Sequence, residues 1–132
     1  MSQNVKTILF LLSDSDPILV RVIKNKFQKD AGWESIITTN YTEAWMAYEQ
    51  QKPDALMTEL LLQDESGKTD FDLIGAIRAK EGEGENIPIA VFTELAQKED
   101  RERANQVGAN YYYIKSQVTL NELIASLKSM LD

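Results

Sequence analysis

The sequence predicts a doubly wound α/β domain, in which a five-stranded parallel sheet lies between two layers of helices. Three observations lead to this fold class. Strand patterns and helix patterns alternate five times along the chain. Several of the strand-like runs are apolar throughout, as in strands buried on both faces of a parallel sheet. The 132 residues include 43% hydrophobic ones, which suits a single domain, residues 1–132, with a substantial core.

The predicted strands are short apolar or β-branched runs bounded by turn residues or charges. They span residues 7–12, 33–39, 53–62, 87–93 and 111–114. The third strand is the centre of the pattern, since its apolar run is interrupted by one carboxylate, Glu59. Because open α/β sheets place functional groups at the carboxyl ends of their strands, Glu59 is a candidate site residue.

The predicted helices have apolar residues at helical spacing and recognisable ends. They span residues 18 to about 29, 43 to about 50, 71 to about 80, 98–107 and 119–131. Thr42 is the expected N-cap of the second helix, and Gly108 ends the fourth. Five strands with five helices favour the flavodoxin-like strand order 2-1-3-4-5 over the six-stranded dinucleotide-binding fold.

Composition excludes several classes of function. A net charge of -7 disfavours binding to nucleic acid or to anionic lipid, because both need a basic surface. The chain has no cysteine and no histidine, which rules out disulfides, Ser-His-Asp and Cys-His triads, and His-containing zinc sites. We find no signal peptide and no run of membrane-spanning length, so we expect a cytoplasmic protein without a membrane partner.

Polar residues follow four of the predicted strands in corresponding places. Asp14 follows the first strand, Glu59 lies in the third, Thr93 ends the fourth and Lys115 follows the fifth. The carboxyl ends of these strands converge on one crevice in a doubly wound sheet. Carboxylates, a hydroxyl and a lysine that meet there suggest a site for an anion, a divalent cation, or both.

The same residues belong to a longer ordered set that runs through residues 7–130. Its members are Asp14, Pro17, residues 53–54, 71–74, 77–78 and 87–89, Thr93, residues 100–101 and 108–110, Tyr112 and Lys115. In this set the chain resembles the receiver domains of bacterial two-component response regulators, the CheY-like domains. The resemblance implies a CheY-like, flavodoxin-like fold and a role in phosphorelay signalling.

The resemblance also implies roles for individual positions. In receivers, two acidic residues after the first strand hold Mg²⁺, and an aspartate at the end of the third strand accepts a phosphoryl group from a histidine of a sensor kinase. Asp14 matches the first acidic residue, and Glu59 stands at the phosphoacceptor position. Thr93 and Lys115 match the residues that bind phosphoryl oxygens, and Thr93 and Tyr112 match the switch residues.

Four departures from the receiver pattern argue against phosphoryl chemistry. Glu59 replaces the phosphoacceptor aspartate, Ser15 replaces an acidic metal ligand, Glu94 stands where a small residue is usual, and Ser116 replaces a proline. The longer side chain of glutamate displaces the carboxylate, whereas in-line transfer tolerates little displacement. We therefore expect no cofactor, with Mg²⁺ at Asp14 and Glu59 bound weakly or absent.

The sequence thus predicts a pseudo-receiver that is not an enzyme and that signals by binding a protein. The expected partner is a sensor kinase or a downstream effector, bound through helix four, strand five and helix five. We also expect Lys115 to pair with Glu59, with Thr93 nearby, in an arrangement that is either locked active or inert. Two alternatives stay open: a receiver that is phosphorylated with Mg²⁺, and a flavodoxin-like binding protein or enzyme that uses the same crevice.

Overall fold

The computed structural model describes residues 5–12, 17–59, 67–80, 87–94 and 97–131. Strands and helices alternate along this part of the chain. The strands are β1 (Thr7–Leu11), β2 (Glu34–Thr38), β3 (Ala55–Thr58), β4 (Ile89–Thr93) and β5 (Tyr111–Ile114). The helices are α1 (Pro17–Ala31), α2 (Tyr41–Gln51), α3 (Asp70–Arg78), α4 (Lys98–Val107) and α5 (Leu120–Leu131), and a 3-10 turn, Lys115–Gln117, follows β5.

The five strands form one sheet in the order β2-β1-β3-β4-β5, and all neighbouring strands are parallel. This is the flavodoxin-like, CheY-like order that the sequence predicts, so the predicted fold class is confirmed. The order reverses at β1 and β3, and the crevice beyond their carboxyl ends is the usual ligand position in such sheets.

Side chains that alternate along the strands build a core on each face of the sheet. Leu9 and Leu11 of β1 pack with α2, α3 and α4, whereas Ile8 and Phe10 pack with α1 and α5. All four side chains of β3 are buried, because β3 lies in the middle of the sheet with helices on both faces. The apolar run in the sequence reflects this double burial.

Several predicted element boundaries differ from the structure by one or more residues, and two of these differences concern the cap of α2 and the end of β3. The N-cap of α2 is Asn40, whose Oδ1 accepts a hydrogen bond from the Glu43 N–H at 2.8 Å, whereas Thr42 lies inside the helix. The predicted third strand extended to residue 62, but β3 ends at Thr58, and residues 60–66 lie outside the described residues. Glu59 therefore comes directly after the strand.

The end of the sheet opposite this crevice is held by one arginine. Arg78 closes α3 and donates hydrogen bonds to the carbonyl oxygens of Ile87 and Gly108 and to Oδ1 of Asn110, at 2.7–2.9 Å. Gly108 ends α4 with φ +115°, and a Cβ atom there would lie 2.8 Å from the Arg78 side chain. These contacts fix α3 against β4 and β5, the strands that carry Thr93 and precede Lys115.

Candidate functional site

The candidate site lies at the carboxyl edge of the sheet, where three of the predicted residues meet. Glu59 follows β3, Thr93 ends β4 and Lys115 follows β5. The strand register pairs Thr93 with Ile114, so Thr93 and Lys115 are close to the same level of the sheet. The backbone of Glu59 is held at this edge by a hydrogen bond from its N–H to the Leu11 carbonyl at 3.0 Å.

Glu59 and Lys115 form a direct ion pair, in which the Lys115 ammonium donates to Oε2 of the glutamate. The pair spans the end of β4, since β4 lies between β3 and β5 in the sheet. The two side chains are only 9% and 24% exposed, which reduces screening of the pair by water. The ammonium also lies 5.5 Å from the centre of the Phe92 ring, at cation–π distance. The predicted pairing is confirmed.

Thr93 is buried beside this pair, with 3% of its surface exposed, whereas Glu94 is exposed. A threonine at the end of a buried strand can present its hydroxyl to the crevice. The exposed position of Glu94 places a further carboxylate near the opening of that crevice. The phosphoryl-binding and switch roles of Thr93 stay predictions.

One residue of the predicted metal site, Glu59, lies within the described part of the chain. Asp14 and Ser15 lie outside the described residues, so Glu59 is the predicted metal ligand that can be placed. Its Oε2 is engaged by the Lys115 ammonium, and a cation at the same oxygen would have to displace that lysine. The described part of the chain contains no group of three acidic side chains that could hold a metal ion. In this geometry, the Glu59 carboxylate pairs with an ammonium group.

Sequence reasoning missed Asp70, which stands near this edge at the start of α3. It is completely buried, although aspartate is seldom buried without a partner. The Thr58 hydroxyl lies 3.5 Å from its Oδ2, and burial raises the pKa of the carboxyl to about 7. The N–H groups at the helix start, the Thr58 hydroxyl and the charge of Arg103 oppose that rise.

A signal for the burial of Asp70 is present in the sequence. Asp70 precedes Leu73, Ile74 and Ile77 by three, four and seven residues, so it falls on the apolar face of the helix. Thr69 caps this helix in a capping box with Asp72, which places Asp70 at the first helical position. Together the two patterns predict a carboxylate that faces the core.

Tyr112 lies on the opposite face of β5 from Tyr111 and Tyr113, as the alternation of a strand predicts. Its ring centre is 5.1 Å from the guanidinium of Arg101 in α4. Burial, followed by the negative charge of Asp100, raises the pKa of the Tyr112 hydroxyl. Tyr111 and Tyr112 also line a groove of about 290 Å³ between α4 and β5. The switch role of Tyr112 stays a prediction.

In chemical terms, the described edge is an internally neutralised site. One carboxylate and one ammonium contact each other, and a buried hydroxyl and a buried carboxyl of raised pKa lie close by. The two opposite charges neutralise each other within the site, so a phosphoryl dianion would have to compete with Glu59 for the Lys115 ammonium.

Within the described residues, no helix is both long enough and apolar enough to cross a membrane.

Comparison with known proteins gives a family, one curated relative and many similar structures. The model of the Response regulator receiver domain family matches residues 10–128. The probable transcriptional regulatory protein TcrX of Mycobacterium tuberculosis is 23% identical over 124 residues, which are 94% of this chain and 50% of that protein. The chain therefore spans half the length of this curated relative.

Two solved structures illustrate the similarity of fold. A putative response regulator from Chloroflexus aurantiacus is 22% identical with a TM-score of 0.80, over 97% of this chain and 98% of that one. The receiver domain of the sensor histidine kinase PA1611 from Pseudomonas aeruginosa is 25% identical with a TM-score of 0.78, over 96% and 98% of the two chains. That structure has a magnesium ion coordinated in its active site cleft.

Proposed function

We propose that this chain, which belongs to the family of response regulator receiver domains, transmits a two-component signal through protein contacts and without being phosphorylated. Receiver domains are signalling modules, and we assign this one no catalytic turnover. The single observation that carries the proposal is the ion pair between Glu59 and Lys115. It occupies the lysine that the resemblance assigns to phosphoryl binding.

The chemistry of the two carboxylates supports this proposal. A receiver uses an aspartate as the acceptor, and glutamate carries its carboxylate one methylene farther from the strand. In-line phosphoryl transfer loses about 10²-fold in rate for a displacement on the order of 1 Å. The oxygen displaced in this way is also the oxygen that contacts Lys115. The same extra methylene thus removes the acceptor from its position and satisfies the lysine.

The ion pair reproduces part of what a phosphoryl group does in a receiver. A phosphoryl group brings about -1.5 to -2 charge and three acceptor oxygens, whereas a carboxylate brings one charge and two oxygens. Glu59 therefore connects the ends of β3 and β5, but it offers Thr93 less negative charge and fewer acceptor oxygens than a phosphoryl group would. Phosphorylation therefore does not switch the output, which with respect to that input is either constitutively active or silent.

The partner of this module is a protein, either a sensor kinase or a downstream effector. We place its contact on α4, β5 and α5, where the groove beside Tyr112 and the exposed charges of α4 provide a surface. We assign no nucleic-acid or membrane partner, in line with the net charge of -7, and a cytoplasmic location. The transcriptional regulation named for the curated relative lies outside this proposal.

The second candidate is a receiver that still accepts a phosphoryl group. The observation that favours it is the position of Thr93 at the end of β4 and of Lys115 directly after β5, since these are the places that the resemblance assigns to the phosphoryl-binding residues. For this candidate, Mg²⁺ would neutralise phosphoryl oxygens beside Asp14 and Glu59, and the lysine would leave Glu59. The Ser15 position supplies no carboxylate for that ion.

Intact-mass measurement distinguishes the two candidates. The protein is incubated with a small acyl phosphate and Mg²⁺ and its mass is recorded. We expect no phosphoryl adduct on the wild-type chain. The Glu59→Asp variant is the matched control, since it restores the acceptor length. A stoichiometric adduct on the wild type that is absent in Glu59→Gln would overturn the proposal in favour of the second candidate.

A further inference from the structure

The Asp70 carboxyl is buried, and it belongs neither to the Glu59–Lys115 ion pair nor to the proposed partner surface. None of its surface is exposed, and its Oδ1 has no hydrogen-bond partner within the described residues. Its Oδ2 faces the Thr58 hydroxyl at 3.5 Å, a distance at the limit of a hydrogen bond. The N–H groups of Asp70 and Phe71 offset part of the cost of burying this carboxylate, but burial is the largest influence on it, so a bound proton lowers that cost.

The Thr58 hydroxyl has one proton and two acceptors within reach. One acceptor is Oδ2 of Asp70, and the other is the backbone carbonyl oxygen of Glu59 at 3.1 Å. Thr58 is itself buried, with 1% of its surface exposed, so these protein groups surround its hydroxyl. Because one O–H group serves one acceptor well at a time, the choice depends on the state of Asp70.

The two states of Asp70 orient this hydroxyl differently. When Asp70 holds a proton on Oδ2, it donates to the Thr58 oxygen, and the Thr58 hydroxyl then donates to the Glu59 carbonyl. When that proton leaves to solvent, the carboxylate becomes the stronger acceptor and takes the Thr58 hydroxyl. The Glu59 carbonyl then loses its bond from Thr58. The change is transmitted to the backbone that carries the ion-paired carboxylate.

The groups that face Asp70 come from each element packed around it. Arg103 of α4 acts on it as a positive charge and also lies over the Phe71 ring at 4.5 Å. Tyr112 of β5 is the titratable group on the strand side, and its hydroxyl in turn feels the charge of Asp70. On the same helix, Asp72 is engaged by the Thr69 N–H at 2.8 Å.

Within the described residues, no ion pair with a lysine or arginine neutralises the buried carboxyl. Lys68, two residues before Asp70, has its ammonium 5.3 Å from the centre of the Tyr41 ring. From β3, Thr58 is polar but does not titrate in this range. Burial is the largest influence on Asp70 and raises its pKa to about 7, against the opposing charge of Arg103. The proton therefore exchanges in the physiological pH range.

We propose that Asp70 is a proton-binding group that acts on the backbone of Glu59 through the Thr58 hydroxyl, so that the candidate site responds to pH. The inference rests on the proposed function only in taking the edge at Glu59 as the functional centre. A pseudo-receiver that phosphorylation does not switch would then still respond to one input, the proton concentration.

The test is a pH titration of the uniformly ¹³C,¹⁵N-labelled chain by NMR. The side-chain carboxyl carbon of Asp70 and the backbone carbonyl carbon of Glu59 are followed from about pH 5 to about pH 9, a range that brackets the raised pKa. We expect both signals to move with one common midpoint near pH 7. In Thr58→Val, the Asp70 signal still titrates and the Glu59 carbonyl no longer follows it.

Three further variants complete the test. Thr58→Ser keeps the hydroxyl and retains the coupling, Asp70→Asn abolishes the Glu59 transition, and Glu34→Gln, an exposed control on β2, changes neither curve. If Asp70→Asn does not fold, the comparison of Thr58→Val with Thr58→Ser decides. The proposal is overturned if Asp70 shows no transition in this range, as a carboxyl with the ordinary pKa of 3.8 would show none, or if the Glu59 carbonyl signal does not follow Asp70 or still follows it in Thr58→Val. The mass assay for phosphorylation is independent of all these outcomes.

Discussion

Replacing Lys115 by methionine leaves the Glu59 carboxylate without its direct cation in a site where it is only 9% exposed. Loss of one partner costs about 3–5 kcal/mol for a fully buried pair and about 0–1 kcal/mol for a surface pair. This pair lies between these limits, because the lysine is 24% exposed. We therefore expect Lys115→Met to lower the free energy of unfolding by about 2 kcal/mol. Adding Glu59→Gln removes the carboxylate charge that has lost Lys115 and should recover about 1 kcal/mol of that loss.

Urea unfolding of the wild type, both single variants and the double variant measures this coupling. The matched control is Lys98→Met, which breaks an exposed pair with Glu102 whose side chains are 83% and 56% exposed. That variant should lose no more than about 0.5 kcal/mol. Strictly additive effects of Lys115→Met and Glu59→Gln, or a Lys115→Met loss no larger than that of the control, would refute the reasoning.

Three further predictions concern stability and metal binding. Because the pKa of Asp70 is raised to about 7 in the folded state, folding is favoured by its proton at low pH, and stability falls as pH rises from about 4 to about 7. At pH 8, Asp70→Asn should be more stable than the wild type, by on the order of 2–4 kcal/mol in urea unfolding; equal stability at pH 8 would contradict the burial argument. Arg78→Leu should lower the unfolding free energy by about 2–4 kcal/mol, because it removes the donor from two partly buried carbonyl groups, and a loss within error in urea unfolding would contradict this. The double variant Ser15→Asp, Glu59→Asp should bind Mg²⁺ more tightly than the wild type in calorimetry, and no gain from a folded variant would show that the acidic pocket is wrongly placed.

The fold could be predicted because each local pattern agrees with one global arrangement. The bounds of α4 and its stop at Gly108 were predicted correctly, since a charged amphipathic run followed by glycine leaves few alternatives. The pairing of Glu59 with Lys115 was also predictable. Parallel strands bring their carboxyl ends to one edge, and the strand order fixes which ends are neighbours.

Other features depend on distances that a sequence pattern does not contain. The cap of α2 is Asn40 rather than Thr42, because two good capping residues lie two positions apart and the path of the chain after β2 selects one. The predicted third helix begins at residue 71 and so leaves out Asp70, although its spacing to Leu73 and Ile77 places it on the buried face. Its contact with Thr58 depends on how closely α3 approaches β3, which only tertiary packing determines.

Beryllofluoride, a non-covalent mimic of a phosphoryl group, tests the central claim most directly when it is added with Mg²⁺ to the ¹⁵N-labelled protein. If the Glu59–Lys115 pair occupies the phosphoryl position, the backbone amides of Thr93, Tyr112 and Lys115 keep their chemical shifts throughout the titration. The Glu59→Asp variant, measured beside it, reports whether the pocket regains affinity once the acceptor is shortened. Saturable shifts at Thr93 and Tyr112 in the wild-type protein would contradict the account, since they would show that the lysine leaves Glu59 for a phosphoryl-like ligand.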